Sequence, residues 1–529
     1  MFTDDERRIL APYFSNTDSH VYALTNRPET VKGALFARYS RSSKSLRRLF
    51  LDEFAKDLDP TAVPATSVGG AGLERAERLY AKVFNEYGDD SVAQLGGAHV
   101  ACEYVSNVLT KVLEWGRLMA YLEQSTRYVP YTDKLNGRWR YHVPEEIEGA
   151  LRQRYVKTMD ATFETYASLI DRMQAHFAAR YPRLPQDSEA VHRSAIRAKA
   201  LDTLRGMLPA ATQSNVGIYG TGQAYEALLL RMRAHPLDEV RTCADQMLTE
   251  LRKVIPAFLT RVDQPDRGER WSEYLAGRRS ATGSIAERVL QDLDAEPRPE
   301  VTLTDFDPDG EIKIVAAVLY SASDLPDDQL LARARALSMD ERAAVLRAYV
   351  GDRSNRRHRP GRAFERTTYR FDVLTDYGAF RDLQRHRLLT LEWQPLSTRH
   401  GYTEPEALGD AGVLDQWTTT MDASAELYEA LRAAGLDTAA PYAVSMAYRV
   451  RFYMEMNARE AMHLIELRTA PQGHPAYRRV CQQMHTLIAE RAGHRVVAAA
   501  MKFADHSAVE LERLKAERAL EQKRLGVRP

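Results

Sequence analysis

The sequence predicts an α+β fold, rich in helix and made of two tandem copies of one pattern. Three observations predict it. Long runs with helical spacing of apolar residues fill most of the chain. Few short alternating segments read as strands. Features of the first half also recur, in order, in the second.

The repeat has three parts. The strand-like stretch opening at Val21 leads through Pro28 to the apolar run 34–39, and the stretch opening at Val301 leads through Pro308 to the apolar run 315–320. Trp115-Gly116-Arg117 then answers to Arg385-His386-Arg387. Finally, residues 220–231 match residues 457–468. The chain of 529 residues is also too long for one ordinary core. The expected organisation is a first domain at 1–262, a linker at 263–300 and a second domain at 301–529. The linker stretch carries Gly268, Gly277, Gly283, Pro297 and Pro299, with one short helix near 284–293.

Helical spacing marks 73–86, 92–115, 144–181, 192–205, 236–261, 327–350, 413–434 and 476–497, and a charged helix at 508–524. Strands are expected at 138–143, 301–304 and 366–374, where Thr367, Tyr369, Phe371 and Val373 alternate with other residues.

Composition narrows the class. Hydrophobic residues make up 44%, charged residues 28%, and the net charge is zero. Nothing global steers the chain to nucleic acid or an anionic membrane, so local arginine clusters must carry any anion binding. No apolar run approaches the ~20 residues of a membrane helix. The acidic, polar start does not read as a signal peptide. Cys102, Cys243 and Cys481 lie far apart, as expected for buried thiols in a reducing compartment rather than a disulfide frame or a zinc site. A cytoplasmic enzyme without a resident metal is the simplest expectation.

Arg385-His386-Arg387 follows an amphipathic run and precedes Leu388, Leu389, Leu391 and Trp393. A basic triplet entering an apolar site needs anionic partners, and phosphate suits the planar fork of arginine. On a helix, Asn457, Leu464 and Arg468 share one face, while Arg459 and His463 sit one turn apart on a neighbouring face. That helix is expected to line a ligand cavity. In the first half Glu123, Ser125 and Arg127 alternate in an extended-looking loop, presenting a carboxylate, a hydroxyl and a guanidinium on one side.

These residues together resemble the flavin-dependent thymidylate synthases. That family's signature is Arg-His-Arg, seven residues, then Ser-x-Arg, with a Glu two before the Ser. A helix of the form Asn-x-Arg…His…Arg accompanies it. By this resemblance the second half carries the flavin part, with Arg385, His386, Arg387, Asn457, Arg459, His463 and Glu365 holding FAD. The first half carries the nucleotide part, with Glu123, Ser125, Arg127, Arg205 and Arg231 as substrate residues. Arg231 or Arg468 would stabilise enolate charge on the uracil. The implied reaction is methylation of dUMP to dTMP, with methylenetetrahydrofolate and NADPH as co-substrates. The implied assembly is a homodimer that mimics the family's tetramer.

The departures are orderly. Arg-His has become Trp115-Gly116, Asn-x-Arg has become Gly220-Thr221-Gly222, and the His has become Glu226. In the second half Pro395 stands where the Ser belongs, and Ser397-Thr398-Arg399 follow out of register. Such changes also keep two other readings open: a flavoenzyme acting on another pyrimidine nucleotide, and a non-catalytic scaffold.

Overall fold

A computed structural model describes residues 2–26, 29–39, 42–55 and 94–525. The chain forms two compact units. One gathers Met1–Val105, Val112–Glu123 and Ser214–Leu293, and the other gathers Ser106–Lys111, Gln124–Gln213 and Asp294–Pro529. The units therefore do not follow one cut along the chain. The middle of the first sequence copy shares a unit with the whole of the second.

The first unit holds a three-stranded sheet of β1 (Gly97–Ser106), β2 (Met119–Glu123) and β3 (Gln213–Thr221), ordered β1-β3-β2. Strand β2 runs antiparallel to β3, from Met119 opposite Gly220 to Glu123 opposite Val216. Helix Gly222–Arg233 follows β3 directly. Its N-cap is Thr221, whose hydroxyl accepts the Ala224 N–H. Helix Asp238–Arg252 buries Val240, Cys243, Ala244, Met247, Leu248 and Leu251, a stripe at three- and four-residue steps.

The second unit holds a four-stranded sheet of β4 (Val301–Phe306), β5 (Thr368–Asp376), β6 (Thr390–Trp393) and β7 (Arg449–Asn457), ordered β4-β5-β7-β6. All three pairings are antiparallel. Tyr369, Phe371 and Val373 of β5 and Val450, Phe452, Met454 and Met456 of β7 are buried in strict alternation with less buried neighbours. That alternation is the mark of a sheet with one face on the core.

Each central strand feeds a helix. Asp376 ends β5 and caps helix Tyr377–Gln384, its carboxylate accepting the Ala379 N–H at 2.8 Å. Asn457 ends β7 and caps helix Ala458–Arg468 by accepting the Glu460 N–H at 2.9 Å. Every residue of helix Tyr377–Gln384 is buried. The long helices Gly149–Arg180, Glu189–Leu204, Leu414–Ala433 and Pro475–Glu490 pack in the same unit.

The α+β class and the helix excess are as the sequence predicts. Several elements differ. The helix expected at 92–115 is strand β1 followed by a short helix, Asn107–Leu113. Ala98, Cys102, Val105, Leu109 and Leu113 are buried at steps of four, three, four and four, which imitates a helix. The strand achieves this because Tyr104 has φ +56°, a left-handed residue that resets the alternation between Cys102 and Val105.

The strand expected at 138–143 makes only isolated bridges, Leu135 to Arg138 and Tyr141 to Thr212. The linker holds a 21-residue helix, Arg270–Leu290, rather than a short one. The helix at 327–350 is two, Asp327–Ala336 and Met339–Val350, divided by the capping box of Ser338 and Glu341. The one at 476–497 breaks at Gly493, whose φ is +73°. The helix expected at 73–86 lies outside the described residues. Among the described residues no helix is long and apolar enough to cross a membrane.

Candidate functional site

The second unit brings residues from both sequence copies onto two buried carboxylates. Asp202, on helix Glu189–Leu204, receives Arg127 as a two-pronged pair, with Nε and Nη2 at 2.7 and 2.6 Å. The remaining Arg127 donors reach the Tyr477 hydroxyl at 2.9 Å and the Gln472 carbonyl at 3.3 Å. Asp382, one turn before the basic triplet, is approached by Arg205 at 3.4 Å and Arg468 at 3.8 Å, and it pairs with Arg385. Burial works against the charge on Asp382, but Arg385, Arg205, Arg468 and Arg127 more than offset it and hold the acid far below the usual carboxylate range. Burial likewise opposes ionisation of Asp202, and Arg127 outweighs it.

His386 continues the cluster. The Arg468 Nε–H donates to its Nε2 at 3.0 Å, and its Nδ1 lies 3.2 Å from the Glu460 carboxylate. An accepting Nε2 requires the proton to sit on Nδ1, so the ring is neutral. Burial first, and then Arg468, keep its pKa well below that of a free histidine. The His463 ring stands 5.4 Å away, its pKa brought down to about 4 by burial and by Arg359, Arg356 and Arg468. Burial pushes Glu460 up to about 7, against the pull of Arg359, Arg459 and Arg387.

His386, Glu460 and His463 offer ligand atoms within 4.8 Å of one another. A metal cation there would sit in the field of the same arginines that keep both histidines uncharged. The field favours an anion over a cation.

The remaining sequence-predicted residues divide by place. Arg387 is exposed beside the cluster. Arg459 donates to the Pro360 carbonyl at 2.9 Å and lies 3.6 Å from Glu365, which also accepts from Arg362. Asn457 spends its side-chain oxygen on the helix cap, so it anchors helix Ala458–Arg468.

Glu123 and Arg231 fall in the first unit, whereas Ser125, Arg127 and Arg205 fall in the second. The loop around Ser125 is a turn and not an extended segment. The Ser125 hydroxyl accepts the Arg127 N–H, and its carbonyl accepts the N–H groups of Tyr128 and Val129. These local bonds compete with extension, so the three side chains do not line one side. In the first unit Arg231 lies 4.9 Å from the Trp115 ring, while its Nε and Nη2 are buried without a hydrogen-bond partner among the described residues.

Sequence reasoning missed the two aspartates and the arginine-rich loop 353–362. Within it Arg353 pairs with Glu466 at 2.7 and 2.6 Å, deep in the core, while Arg357 and Arg359 are exposed. Asp382 stands three residues before Arg385, a spacing that signals a helical ion pair. Asp202 is 75 residues from Arg127, and no local signal joins them.

Fold and cluster define a class: a duplicated α+β protein whose second unit gathers arginines around two buried aspartates. The chain belongs to the thymidylate synthase complementing protein family, whose model matches residues 26–257 and 302–492. A UPF0159 protein of Chlamydia muridarum is 37% identical over 528 residues, covering 98% of both chains. A UPF0159 protein of Thermoplasma acidophilum is 30% identical over 518 residues, covering 92% of this chain and 97% of its own. A flavin-dependent thymidylate synthase of Mycobacterium avium is 29% identical over 181 residues, or 34% of this chain and 66% of that one. A solved UMP/dUMP methylase from Streptomyces cacaoi is 21% identical with a TM-score of 0.31, covering 38% of this chain and 94% of its own. That likeness is too distant to bear on the chemistry of this chain.

Proposed function

We propose that the chain is a flavin-dependent enzyme that transfers a one-carbon unit to C5 of a pyrimidine nucleotide, dUMP to dTMP foremost. Methylenetetrahydrofolate is the donor and NADPH the reductant, and the enzyme works in the cytoplasm as a homodimer. The proposed domains are 1–262 and 301–529, joined through 263–300. Membership of the family and partial similarity to flavin-dependent thymidylate synthases support this reading.

One observation carries it further. Arg127, Arg205, Arg385 and Arg468 converge on Asp202 and Asp382 in one buried cluster. The phosphate of a nucleoside monophosphate suits such a gathering of guanidinium forks. Arg205 and Ser125 bind the phosphate, and Arg127 joins them by exchanging Asp202 for it. Glu123 and Arg231 are the other proposed substrate residues, and Arg231 or Arg468 is proposed to stabilise charge on the uracil.

On the flavin side, Arg387, Arg385 and Arg459, beside the neutral His386 and His463 and with Asn457 and Glu365 fixing the helix and its neighbour, would hold the FAD. The three guanidinium forks suit a diphosphate. When bound, a flavin supplies redox chemistry that no side chain here can perform.

A second reading has its own support. Pro395 and Arg399 are exposed, and Ser397 is buried, so the second-copy loop does not present the usual Ser-x-Arg pair. Another pyrimidine nucleotide as substrate is consistent with that change. Anaerobic incubation with FAD, NADPH, methylenetetrahydrofolate and, in separate reactions, dUMP, UMP or a cytosine nucleotide, followed by mass spectrometry, tests both. A product heavier by one methylene on dUMP supports the first reading. Product with UMP or a cytosine nucleotide alone supports the second.

A further inference from the structure

Two histidines outside the basic cluster meet at the root of the C-terminal tail. His485 lies on helix Pro475–Glu490, and His506 lies in the segment between helices Arg495–Ala500 and Leu514–Arg524. Their rings face each other, His485 Nδ1 to His506 Nε2, at 2.8 Å. The other ring nitrogen of His485, Nε2, stands 3.0 Å from the Ala498 carbonyl. A carbonyl only accepts, so His485 carries its proton on Nε2 and keeps a lone pair on Nδ1. A histidine that gives its far N–H to a carbonyl and aims its lone pair at a second imidazole has the arrangement of a metal ligand.

The backbone beside His506 is fixed by the protein itself. The Asp505 N–H donates to the Thr469 hydroxyl at 2.9 Å, and the Asp505 carbonyl accepts from the Gln482 amide at 2.9 Å. His506 is exposed and His485 half-buried, so an ion with its water can reach both rings. Burial first, and then His485, hold the His506 imidazole below the usual histidine pKa, against the pull of Asp505, which favours the neutral ring that binds metals. The local field also differs from that at His386 and His463. Arginines bear on those two rings, whereas the charged neighbour of His506 is the Asp505 carboxylate, whose Oδ1 accepts from Ser507 and lies 3.4 Å from Arg478. A carboxylate beside two neutral imidazoles favours a cation.

We infer that His485 and His506 bind one late first-row divalent cation, zinc foremost, through His485 Nδ1 and His506 Nε2, with water filling the remaining positions. Zinc–nitrogen bonds of about 2.0–2.1 Å at a tetrahedral angle set two ligand nitrogens about 3.3 Å apart. The rings must therefore part by about half an ångström. The exposed His506 can do so by a small turn of its side chain. Imidazoles suit zinc, nickel or copper, whereas magnesium and calcium take oxygen ligands. The ion staples the tail at its root. Beyond that root, helix Leu514–Arg524 buries no residue, and its contacts include Arg518 with Asp187 at 2.5 and 2.8 Å and Glu521 with Ser188 at 2.5 Å. None of the proposed flavin or nucleotide residues takes part, so the inference goes beyond the proposed reaction and does not depend on it.

Titration calorimetry of the full chain with Zn²⁺, and separately with Mg²⁺, tests the site. Zn²⁺ should bind the wild type and Mg²⁺ should not compete for it. His506→Ala should weaken Zn²⁺ binding at least about tenfold, while His463→Ala should leave it unchanged. Zn²⁺ should also slow tryptic cleavage within residues 501–524 of the wild type and not of His506→Ala. Absence of Zn²⁺ binding to the wild type overturns the inference. So does binding that survives His506→Ala undiminished, or that is lost in His463→Ala instead. Modification of the wild type with diethylpyrocarbonate, located by mass spectrometry, needs no variant to fold. Zn²⁺ should protect His485 and His506, and unchanged reactivity of both overturns the inference as well.

Discussion

The two copies keep the same strand-to-helix unit and use it differently. In the second copy helix Ala458–Arg468 delivers Arg468 to His386 and Asp382, and His463 to the His386 ring. In the first copy helix Gly222–Arg233 delivers Arg231 to Trp115, and Glu226 to a two-pronged pair with Arg261 at 3.1 and 2.8 Å. Even the cap has moved. Asn457 caps the second helix, but its counterpart Gly220 has no side chain to cap with, and Thr221 takes over one residue later. The first copy uses these helix positions for an ion pair and a ring contact, while the second gathers them onto a buried histidine and aspartate.

Breaking the two acidic hubs gives the largest contrast. Asp382→Ala leaves three guanidinium groups facing one another in a buried site, which should cost about 3–5 kcal/mol. Glu226→Ala removes a partly exposed pair of the first copy and should cost less, on the order of 1–2 kcal/mol. Urea denaturation of both variants checks the order. Equal costs would remove the distinction.

How much of this was legible follows from the same residues. The basic triplet, the Asn457–Arg468 helix and its fold class could be read because periodicity and spacing are local. The partners could not. Asp202 meets Arg127 only through the fold, and the placement of 124–213 in the unit of the second copy has no sequence signature. Strand β1 was hidden for a different reason, since one left-handed Tyr104 gave its buried residues a helical rhythm.

The arginines at the ends of the two helices sharpen the comparison. Arg468→Met deprives His386 of its donor and Asp382 of a counter-charge, and should cost about 2–3 kcal/mol. Arg231→Met removes two buried donors without a hydrogen-bond partner among the described residues and a ring contact with Trp115, so it should fall within about 1 kcal/mol of wild type. Thermal melts would show a clear fall for the first and little change for the second. A larger loss for Arg231→Met would mean that the first copy still depends on its arginine.

Smaller still is the pH effect. Glu460 is raised to about 7 in the fold, so its contribution to stability is present below about pH 4.5 and is lost as pH climbs through 7. His463, lowered to about 4, contributes above about pH 6.5 and loses that contribution as pH falls through 4. Glu460→Gln should therefore gain stability relative to wild type between pH 4.5 and 7, and gain nothing further above. A flat difference across that window would show that Glu460 ionises normally.

The central claim is that the second copy alone holds the flavin. Equilibrium dialysis with FAD, read by flavin absorbance and normalised to protein, measures it directly. The account predicts at most one FAD per chain, with Arg385→Ala reducing retention and Gly116→Ala leaving it unchanged. Two FAD per chain, or retention untouched by Arg385→Ala, would contradict it.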